Sequence, residues 1–280
     1  DNEGDILLGQ INAGSGDVSL VAERSILDNN DPLLNLLNVQ ADALRMWSDA
    51  VVNADGTQDT LTAGNQVGII GGSDTLNASD SNVHAIDIQV TTLAAQSADG
   101  IYVREADGLT VQATGDIAVS EVNFNSTTTT RTDLSLSDLV TTDNGPIKLQ
   151  STTGNITLND GVVGSIHGND GVSVSANGTG NVLVQTLAAN GDIIVNANII
   201  SGTGHITLNA GDDIDQNANI QTGGTGTVYL LGSNRTSDTI SGIDMQSGTS
   251  ITTGGGNVRL VADNEGDILL GQINAGSGDV

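Results

Sequence analysis

The chain has 280 residues, of which 37 are Gly, while aromatic residues make up 1% and Cys is absent. Its 34 acidic and 7 basic residues give a formal net charge of -27 at pH 7, which excludes strong attraction to phosphate backbones or anionic lipid. No run approaches the roughly 18 apolar residues that a membrane span needs. We therefore expect no nucleic acid partner and no membrane insertion, and we expect a thin core with few aromatic rings.

Short predicted strands recur from the N-terminus onward, and helix is disfavoured nearly throughout. Each strand follows a Gly and one polar or small residue, and it carries apolar residues at alternate positions. In chain order these signals occupy residues 4–8, 16–20, 115–119, 154–158, 180–184, 191–195, 204–208, 226–230 and 256–260. Many neighbouring signals lie about 9 to 13 residues apart, which indicates coils of roughly 20 to 24 residues. The pattern predicts an all-β fold, a parallel β-helix or β-solenoid.

A long duplication frames these short signals. The first 18 residues, DNEGDILLGQINAGSGDV, recur unchanged at residues 263–280, so the period from Asp1 to Asp263 is 262 residues. We interpret residues 1–262 as one long solenoid repeat and residues 263–280 as the start of the next, part of a tandem-repeat rod. At about 23 residues per coil, one repeat would contain about 11 coils and extend roughly 50 Å.

Two regions interrupt the rhythm. Residues 28–98 carry Pro32, the apolar stretch 33–37 and Trp47, and residues 125–133 read NSTTTTRTD. We predict irregular insertions in both regions, because the strand pattern is interrupted there. Binding surfaces of solenoids often lie on such loops. Trp47 is then either a contact residue for a partner or a ring that closes one end of the thin core.

Acidic and amide side chains suggest two structural roles. Stacked coils place like residues above one another, so Asn ladders are expected at Asn196, Asn198, Asn217 and Asn219. Asp residues after Gly would either line up as Ca2+ ligands or serve as turn residues; these are Asp5, Asp17, Asp116, Asp192 and Asp267. The densest acidic spot, formed by Asp212, Asp213 and Asp215, is the first choice for a Ca2+ site. His205 fills the Asp or Asn slot of the sister motifs and is predicted to be a turn residue.

Catalysis has little support in the sequence. The basic residues are scattered, and the nearest approach to a site is Arg104 beside Glu105 and Asp107, where ion pairing at the surface is the simpler interpretation. We expect no enzymatic activity, no catalytic residues and no cofactor other than Ca2+. A polysaccharide-degrading enzyme would need a groove with several carboxylates beside an Arg or Lys.

Three stretches of sequence carry a family likeness. They are VTTLAAQSADGIYVREADGLTV at 90–111, DLVTTDNGPIKLQSTTGNITLNDG at 138–161 and SGTGHITLNAGDDIDQNANI at 201–220. With the recurring GDI and GNV strands, they resemble repeats of giant bacterial haemagglutinin-like surface proteins, similar to filamentous haemagglutinin. The resemblance implies a right-handed parallel β-helix, export to the cell surface, and adhesion or filament formation.

These observations predict a non-catalytic structural repeat of a giant extracellular or cell-surface fibre. Its partners would be further copies of the repeat, end to end, with lateral filament partners or another cell surface also open. The alternative is an adhesin module that binds a carbohydrate or a partner cell through its insertions. The high negative charge predicts that divalent cations promote bundling of such rods.

Overall fold

The structure is a computed structural model that describes residues 4–30, 36–52, 58–59, 67–72, 84–161, 170–235 and 242–280. Its elements are all strands within these ranges. They are β1 (Ile6–Leu8), β2 (Ile11–Asn12), β3 (Val18–Val21), β4 (Ile26–Asp28), β5 (Val39–Trp47), β6 (Val51–Val52), β7 (Gln58–Asp59), β8 (Ile69–Ile70), β9 (Ile86–Ser97), β10 (Gly100–Glu105), β11 (Leu109–Val111), β12 (Ile117–Val122), β13 (Thr128–Asp133), β14 (Leu139–Thr141), β15 (Ile147–Ser151), β16 (Ile156–Leu158), β17 (Val172–Ala176), β18 (Val182–Thr186), β19 (Ile193–Val195), β20 (Asn198–Ser201), β21 (Ile206–Asn209), β22 (Ile214–Gln216), β23 (Ile220–Thr222), β24 (Val228–Gly232), β25 (Gly242–Met245), β26 (Ser250–Thr252), β27 (Val258–Ala262), β28 (Asp267–Leu269) and β29 (Gln272–Asn274).

The chain winds as a parallel β-solenoid with three strand faces. Twenty-five of the described strands join one sheet, in which strands of neighbouring turns pair in parallel. Face 1 consists of β1, β4, β8, β10, β15, β18, β21, β24 and β27. Face 2 consists of β11, β16, β19, β22, β25 and β28. Face 3 consists of β3, β5, β9, β14, β17, β20, β23, β26 and β29.

Columns of aliphatic side chains form the core. On face 1 one column contains Ile6, Ile26, Ile70, Ile101, Ile147, Val182, Ile206, Val228 and Val258, which pair in register from turn to turn. Alternate residues of each strand point inward, as in the buried, half-buried, buried pattern of β16 and β19. β-Branched residues suit these positions because their side chains pack well on a pleated surface. The predicted all-β parallel solenoid is confirmed.

The number of turns differs from the sequence prediction. The face 1 column from Ile6 to Val258 spans eight turns of the described chain, and β28 begins the next face. Turn length varies from 20 residues, between Ile6 and Ile26, to 46 residues, between Ile101 and Ile147. The estimate of about 11 coils is therefore wrong, because residues inserted at the corners add length to the chain without adding a turn.

The described part of region 28–98 contributes strands to the solenoid, where an irregular insertion was predicted. It supplies β5 and β9, of 9 and 12 residues, which lie side by side and run around the corner onto face 3. Parts of the predicted insertion, at 31–35, 53–57, 60–66 and 73–83, lie outside the described residues. Trp47, at the end of β5, is buried with 1% exposure, which contradicts its interpretation as an exposed contact residue.

A hairpin leaves the solenoid between β11 and β14. Strands β12 and β13 pair antiparallel with each other and with no other described strand. The predicted polar excursion at 125–133 is the tip and the second strand of this hairpin. The strand signal at 115–119 had indicated a coil of the rod, and this was wrong because a nearby strand offered local pairing across a short loop.

The base of the hairpin covers the outer surface of β5. The Nε of Arg45 donates a 3.0 Å hydrogen bond to the carbonyl of Leu134, in the segment that returns from the hairpin, and Nη1 donates to Ser19 Oγ at 3.3 Å. Arg45 is fully buried and its guanidinium lies 5.7 Å from the centre of the Trp47 ring. Burial lowers the pKa of Arg45, and Asp133 opposes this shift.

None of the described residues lies in a helix long and apolar enough to cross a membrane.

Candidate functional site

The last turn leaves the end of the core open. Strands β27, β28 and β29 each pair with a strand of the preceding turn, and no described strand pairs with their other edge. A cavity of about 260 Å3 opens here between apolar side chains. It is lined by Val258, Arg259, Leu260, Ile268, Leu270, Ile273 and Val280. Uncovered strand edges with apolar neighbours are templates for pairing with further strands. We call this surface the open end.

The duplicated sequence provides an internal comparison for the open end. Leu8 is 3% exposed, whereas Leu270, the same residue in the second copy, is 63% exposed. Val18 is 8% exposed, whereas Val280 is 78% exposed. Both pairs lie within the duplicated sequence, residues 1–18 and 263–280. The difference in burial therefore comes from what lies next to each copy, because the first copy is covered by β4 and β5.

A second candidate is a buried carboxyl group at the corner after β10. Glu105 is 0% exposed and its Oε1 accepts hydrogen bonds from the backbone N–H groups of Ala106, at 2.9 Å, and Asp107, at 3.2 Å. Its Oε2 accepts the N–H of Val90 at 3.2 Å. Burial raises the pKa of Glu105 to about 9, against the effect of these backbone hydrogen bonds. The raised pKa favours the neutral acid at pH 7.

The residues stacked beside Glu105 indicate a structural role for it. Ser151 lies one turn further along and Thr186 another turn beyond, in the same column. The hydroxyl of Ser151 donates to the carbonyl of Thr153 at 2.8 Å, and that of Thr186 donates to the carbonyl of Gly191 at 2.7 Å. All three side chains bind backbone groups at the corner between faces 1 and 2. Glu105 accepts backbone N–H groups at the corner where the hydroxyls of the later turns donate to backbone carbonyls.

Arg104 pairs with a residue that the sequence analysis did not single out. Its Nε and Nη2 contact the two carboxylate oxygens of Asp87 at 2.5 and 3.0 Å. Burial raises the pKa of Asp87, and Arg104 opposes this. Together with Glu105 these groups line a cavity of about 290 Å3.

This cavity has the composition that a carboxylate-based enzyme would need, with two acids of different environment beside an Arg. However, both oxygens of Asp87 are held by Arg104, and Glu105 is fully buried with its oxygens on backbone N–H groups. Proton transfer to a substrate requires a carboxyl within hydrogen-bond reach of it. The arrangement matches a bidentate structural ion pair better than an acid and base pair.

The predicted acidic site has different members in the structure than in the sequence prediction. Carboxylate oxygens of Asp192, Asp212 and Asp213 lie within 4.8 Å of one another, and we call this group the aspartate cluster. Asp215 lies outside the cluster, on face 2 in register with Asp244, and its carboxylate accepts a 2.8 Å hydrogen bond from Asn217. Sequence reasoning placed Asp192 with the turn residues, because it lies one coil away from the other two.

The cluster also has backbone partners. Asp212 Oδ1 accepts the N–H of Arg235 at 2.6 Å, and Asp213 Oδ1 accepts the N–H of Gly242 at 2.5 Å. Three carboxylates are ligands of the kind that Ca2+ prefers. Binding of Ca2+ stays a prediction, because these same oxygens also accept hydrogen bonds from backbone N–H groups.

Asp residues after Gly bridge neighbouring turns. The carboxylates of Asp5, Asp17 and Asp192 accept backbone N–H groups one coil away, from Ser25 at 3.0 Å, Ala43 at 3.1 Å and Asp213 at 3.2 Å. Asp116 accepts the N–H of Ser135 at 2.8 Å across the base of the hairpin, within one turn. His205 takes the same place, because its Nδ1 accepts the N–H of Thr227 at 3.1 Å. All five residues lie outside the strands and their side chains accept backbone N–H groups, as the turn interpretation predicts.

Amide side chains form ladders along the rod. Asn217 donates to Asn196, and Asn196 donates to Asn159, both at 2.9 Å. The Oδ1 of Asn198 accepts the N–H of Asn219, also at 2.9 Å. The predicted ladders are therefore confirmed.

A further ladder follows the first turns of the rod. It runs from Asn12 through Gln40 and Gln89 to Asp107, with donor to acceptor distances of 2.9, 3.2 and 2.8 Å. This ladder borders an open polar groove of about 760 Å3.

The hairpin presents three strongly exposed apolar side chains. Phe124, at its tip, is fully exposed, and Val119 and Val122 are 60% and 71% exposed. Arg131 and Glu121 form an ion pair across the two strands at 2.5 Å. Exposed ion pairs of this kind contribute little stability. The hairpin projects from the solenoid and its tip is not part of the core.

No family model, curated protein sequence or solved structure matches this chain.

Proposed function

We propose that this chain is a non-catalytic structural repeat of an extended fibre, in which copies of the repeat stack end to end as one continuous solenoid. The observation that carries the proposal is the difference in burial between the two copies of the duplicated sequence. Leu8 and Val18 are buried by the turn that follows them, whereas Leu270 and Val280 are exposed. A following copy would bury the second pair as the first is buried.

The sequence after the duplication fits the strand that it would cover. Val280 corresponds to Val18, and the backbone carbonyl of Asp279 accepts the N–H of Val258, which places Val280 beside β27. A following copy would continue as VSLVA, the sequence of residues 18–22, over VRLVA at residues 258–262. Four of the five positions are identical. Like residues would then continue the face 1 column across the junction.

Location outside the cell is part of the proposal. The net charge of -27 keeps such rods soluble and mutually repelling. The resemblance to haemagglutinin-like surface proteins points to a secreted or cell-surface fibre. Lateral association with divalent cations follows from the same charge, because cations screen the repulsion between rods.

The second candidate is an adhesin module. It is favoured by the hairpin, where Phe124 projects at the tip and lacks any neighbour that covers it among the described residues. Exposed aromatic side chains are common centres of protein contacts. Deleting residues 118–132 while keeping Leu134 would remove the tip and leave the cover over Arg45 in place. Loss of cell or glycan binding with an intact rod would favour this candidate.

Electron microscopy of lengthened chains tests the fibre. Residues 19–280 are added once, twice or three times after residue 280, which adds a whole period each time. Each period contains eight turns and one face, so the rod should lengthen by about 40 Å per copy at ~4.8 Å per turn. Separate globular particles joined by linkers would contradict the proposal.

A matched pair of variants makes the test specific for the junction. Leu270→Asp introduces a charge where the next copy would cover it, whereas Leu187→Asp changes a 47% exposed residue in a turn on the side of the rod. We expect Leu270→Asp to interrupt the rod at the junction and Leu187→Asp to leave it continuous. Continuous rods in both variants would argue against junctions built on the open end.

A further inference from the structure

The two copies of the duplicated sequence lie on different faces of the solenoid. Ile6 belongs to face 1, where it pairs with Ile26. Ile268 is the same residue in the second copy, and it belongs to face 2, where it pairs with Ile243. A repeat that closed after a whole number of turns would have returned Ile268 to face 1.

The offset is one face. From Ile6 the face 1 column passes through eight turns to Val258, and the chain then turns one corner before it reaches Ile268. The neighbouring strand shows a shift in the same direction. β2 lies in the row of Ile11, Val39, Ile88 and Glu105, at the corner after face 1, whereas β29, its counterpart, pairs with β26 on face 3. Measured on Ile6 and Ile268, the 262-residue period corresponds to eight and one third turns.

The pairing on both sides of the duplicated sequence is compatible with a continuous junction. Where the first copy lies, Ile6 is covered by Ile26, and where the second copy lies, Ile268 rests on Ile243. In an array the two contacts would belong to the same strand, which would carry an aliphatic partner on either side. Both pairings are parallel and in register, so neither has to change when copies are joined.

We infer that successive copies in the fibre are rotated by one face, about a third of a turn, relative to one another. This inference rests on the proposed end-to-end stacking and specifies the partner and its register: a second copy of the repeat, whose face 1 continues face 2 of the first. Three copies would complete 25 turns and restore the original orientation. At ~4.8 Å per turn the true axial period is about 120 Å, with copies spaced about 40 Å apart.

The rotation has a consequence for the side of the rod that each hairpin occupies. β12 and β13 leave the solenoid at one corner of each copy. With a third of a turn per copy, hairpins in three successive copies project in three directions, and the fourth lies above the first. A fibre of this kind presents its projections all around its circumference, whereas copies without rotation would present them along a single line.

Labels on the hairpin test the rotation. The chain has no Cys, so Phe124→Cys provides one thiol per period at the exposed tip for a maleimide-gold label. In a chain lengthened to four periods, cryo-electron microscopy should place labels about 40 Å apart along the axis and a third of a turn apart around it. Leu187→Cys marks a different side of the rod and should give the same rotation.

The outcomes separate the inference from the proposed function. A continuous rod whose labels lie in one line would overturn the rotation and leave end-to-end stacking intact. Beads without a continuous rod would overturn both. A continuous rod whose labels are each a third of a turn from the last, so that the fourth lies above the first, supports both.

Discussion

Truncating the same leucine in the two copies of the duplicated sequence should have unequal effects. Leu8→Ala removes a side chain that is 3% exposed, whereas Leu270→Ala removes one that is 63% exposed. Burying a Leu side chain fully contributes about 1.5 to 3 kcal/mol, and the cavity left by truncation raises the cost to about 2 to 5 kcal/mol. With about a third of its surface buried, Leu270 should account for only about 0.5 to 1 kcal/mol.

Hydrogen exchange can measure this difference where it arises, because the terminal turns of a solenoid open locally. The N–H of Ile11, bonded to the carbonyl of Asn38, reports on the turn that contains Leu8. The N–H of Gln272, bonded to the carbonyl of Thr249, reports on the turn that contains Leu270. A loss of about 2 kcal/mol corresponds to roughly 30-fold faster exchange, whereas about 0.5 kcal/mol corresponds to roughly 2-fold.

The lengthened chain provides the decisive control. When residues 19–280 are added after residue 280, Leu270 acquires the surroundings of Leu8, and the effect of Leu270→Ala should rise to that of Leu8→Ala. An equal effect of Leu270→Ala in the short and the lengthened chain would refute the reasoning, because it would mean that the next copy does not cover this side chain.

Three other perturbations test the turns of the rod. Glu105 has a folded pKa of about 9 against an ordinary value of 4.5. Its contribution to the free energy of unfolding is therefore full below pH 4.5 and is lost as the pH rises towards 9, at about 1.4 kcal/mol per pH unit. In denaturation at pH 5, 7 and 9, the free energy of unfolding should fall less steeply with pH in Glu105→Gln than in the wild type, and parallel curves would contradict this. Gly211→Ala places a Cβ against the carbonyl oxygen of Ala188, whereas Gly9→Ala meets no atom within 4 Å, so thermal denaturation should show a loss of about 1 to 3 kcal/mol for the first and almost none for the second. Calcium bound at the aspartate cluster should raise the thermal midpoint of the wild type and much less that of Asp213→Asn; a calorimetric titration without heat would contradict the Ca2+ prediction.

The alternating pattern of the strands could be read from the sequence because it reflects a local property of the chain. Strand residues such as Ile156, Leu158, Ile193 and Val195 were predicted to be inward and are fully buried. The role of His205 followed in the same way from its place in the motif. Such positions depend on the strand itself and on the Gly that precedes it, so one turn is enough to predict them.

Contacts between turns could not be read in this way. Asp87, the partner of Arg104, and Asp192, the third member of the aspartate cluster, lie one turn away at separations that the variable corners set. Glu105 was accessible in principle, because Ile101, Val103 and Glu105 alternate on β10 and the first two are core residues. The charge of Glu105 favoured a place on the surface, whereas the alternation of inward residues along β10 correctly indicated the core.

Variable turn length has a consequence for how such a molecule can change. Between 20 and 46 residues are used per turn, yet each turn holds the same place in the face 1 column. The number of turns therefore sets the length of the rod, and residues added at a corner alter only its outline. A surface segment can therefore be lengthened, exchanged or removed while the axial spacing between all the others is kept.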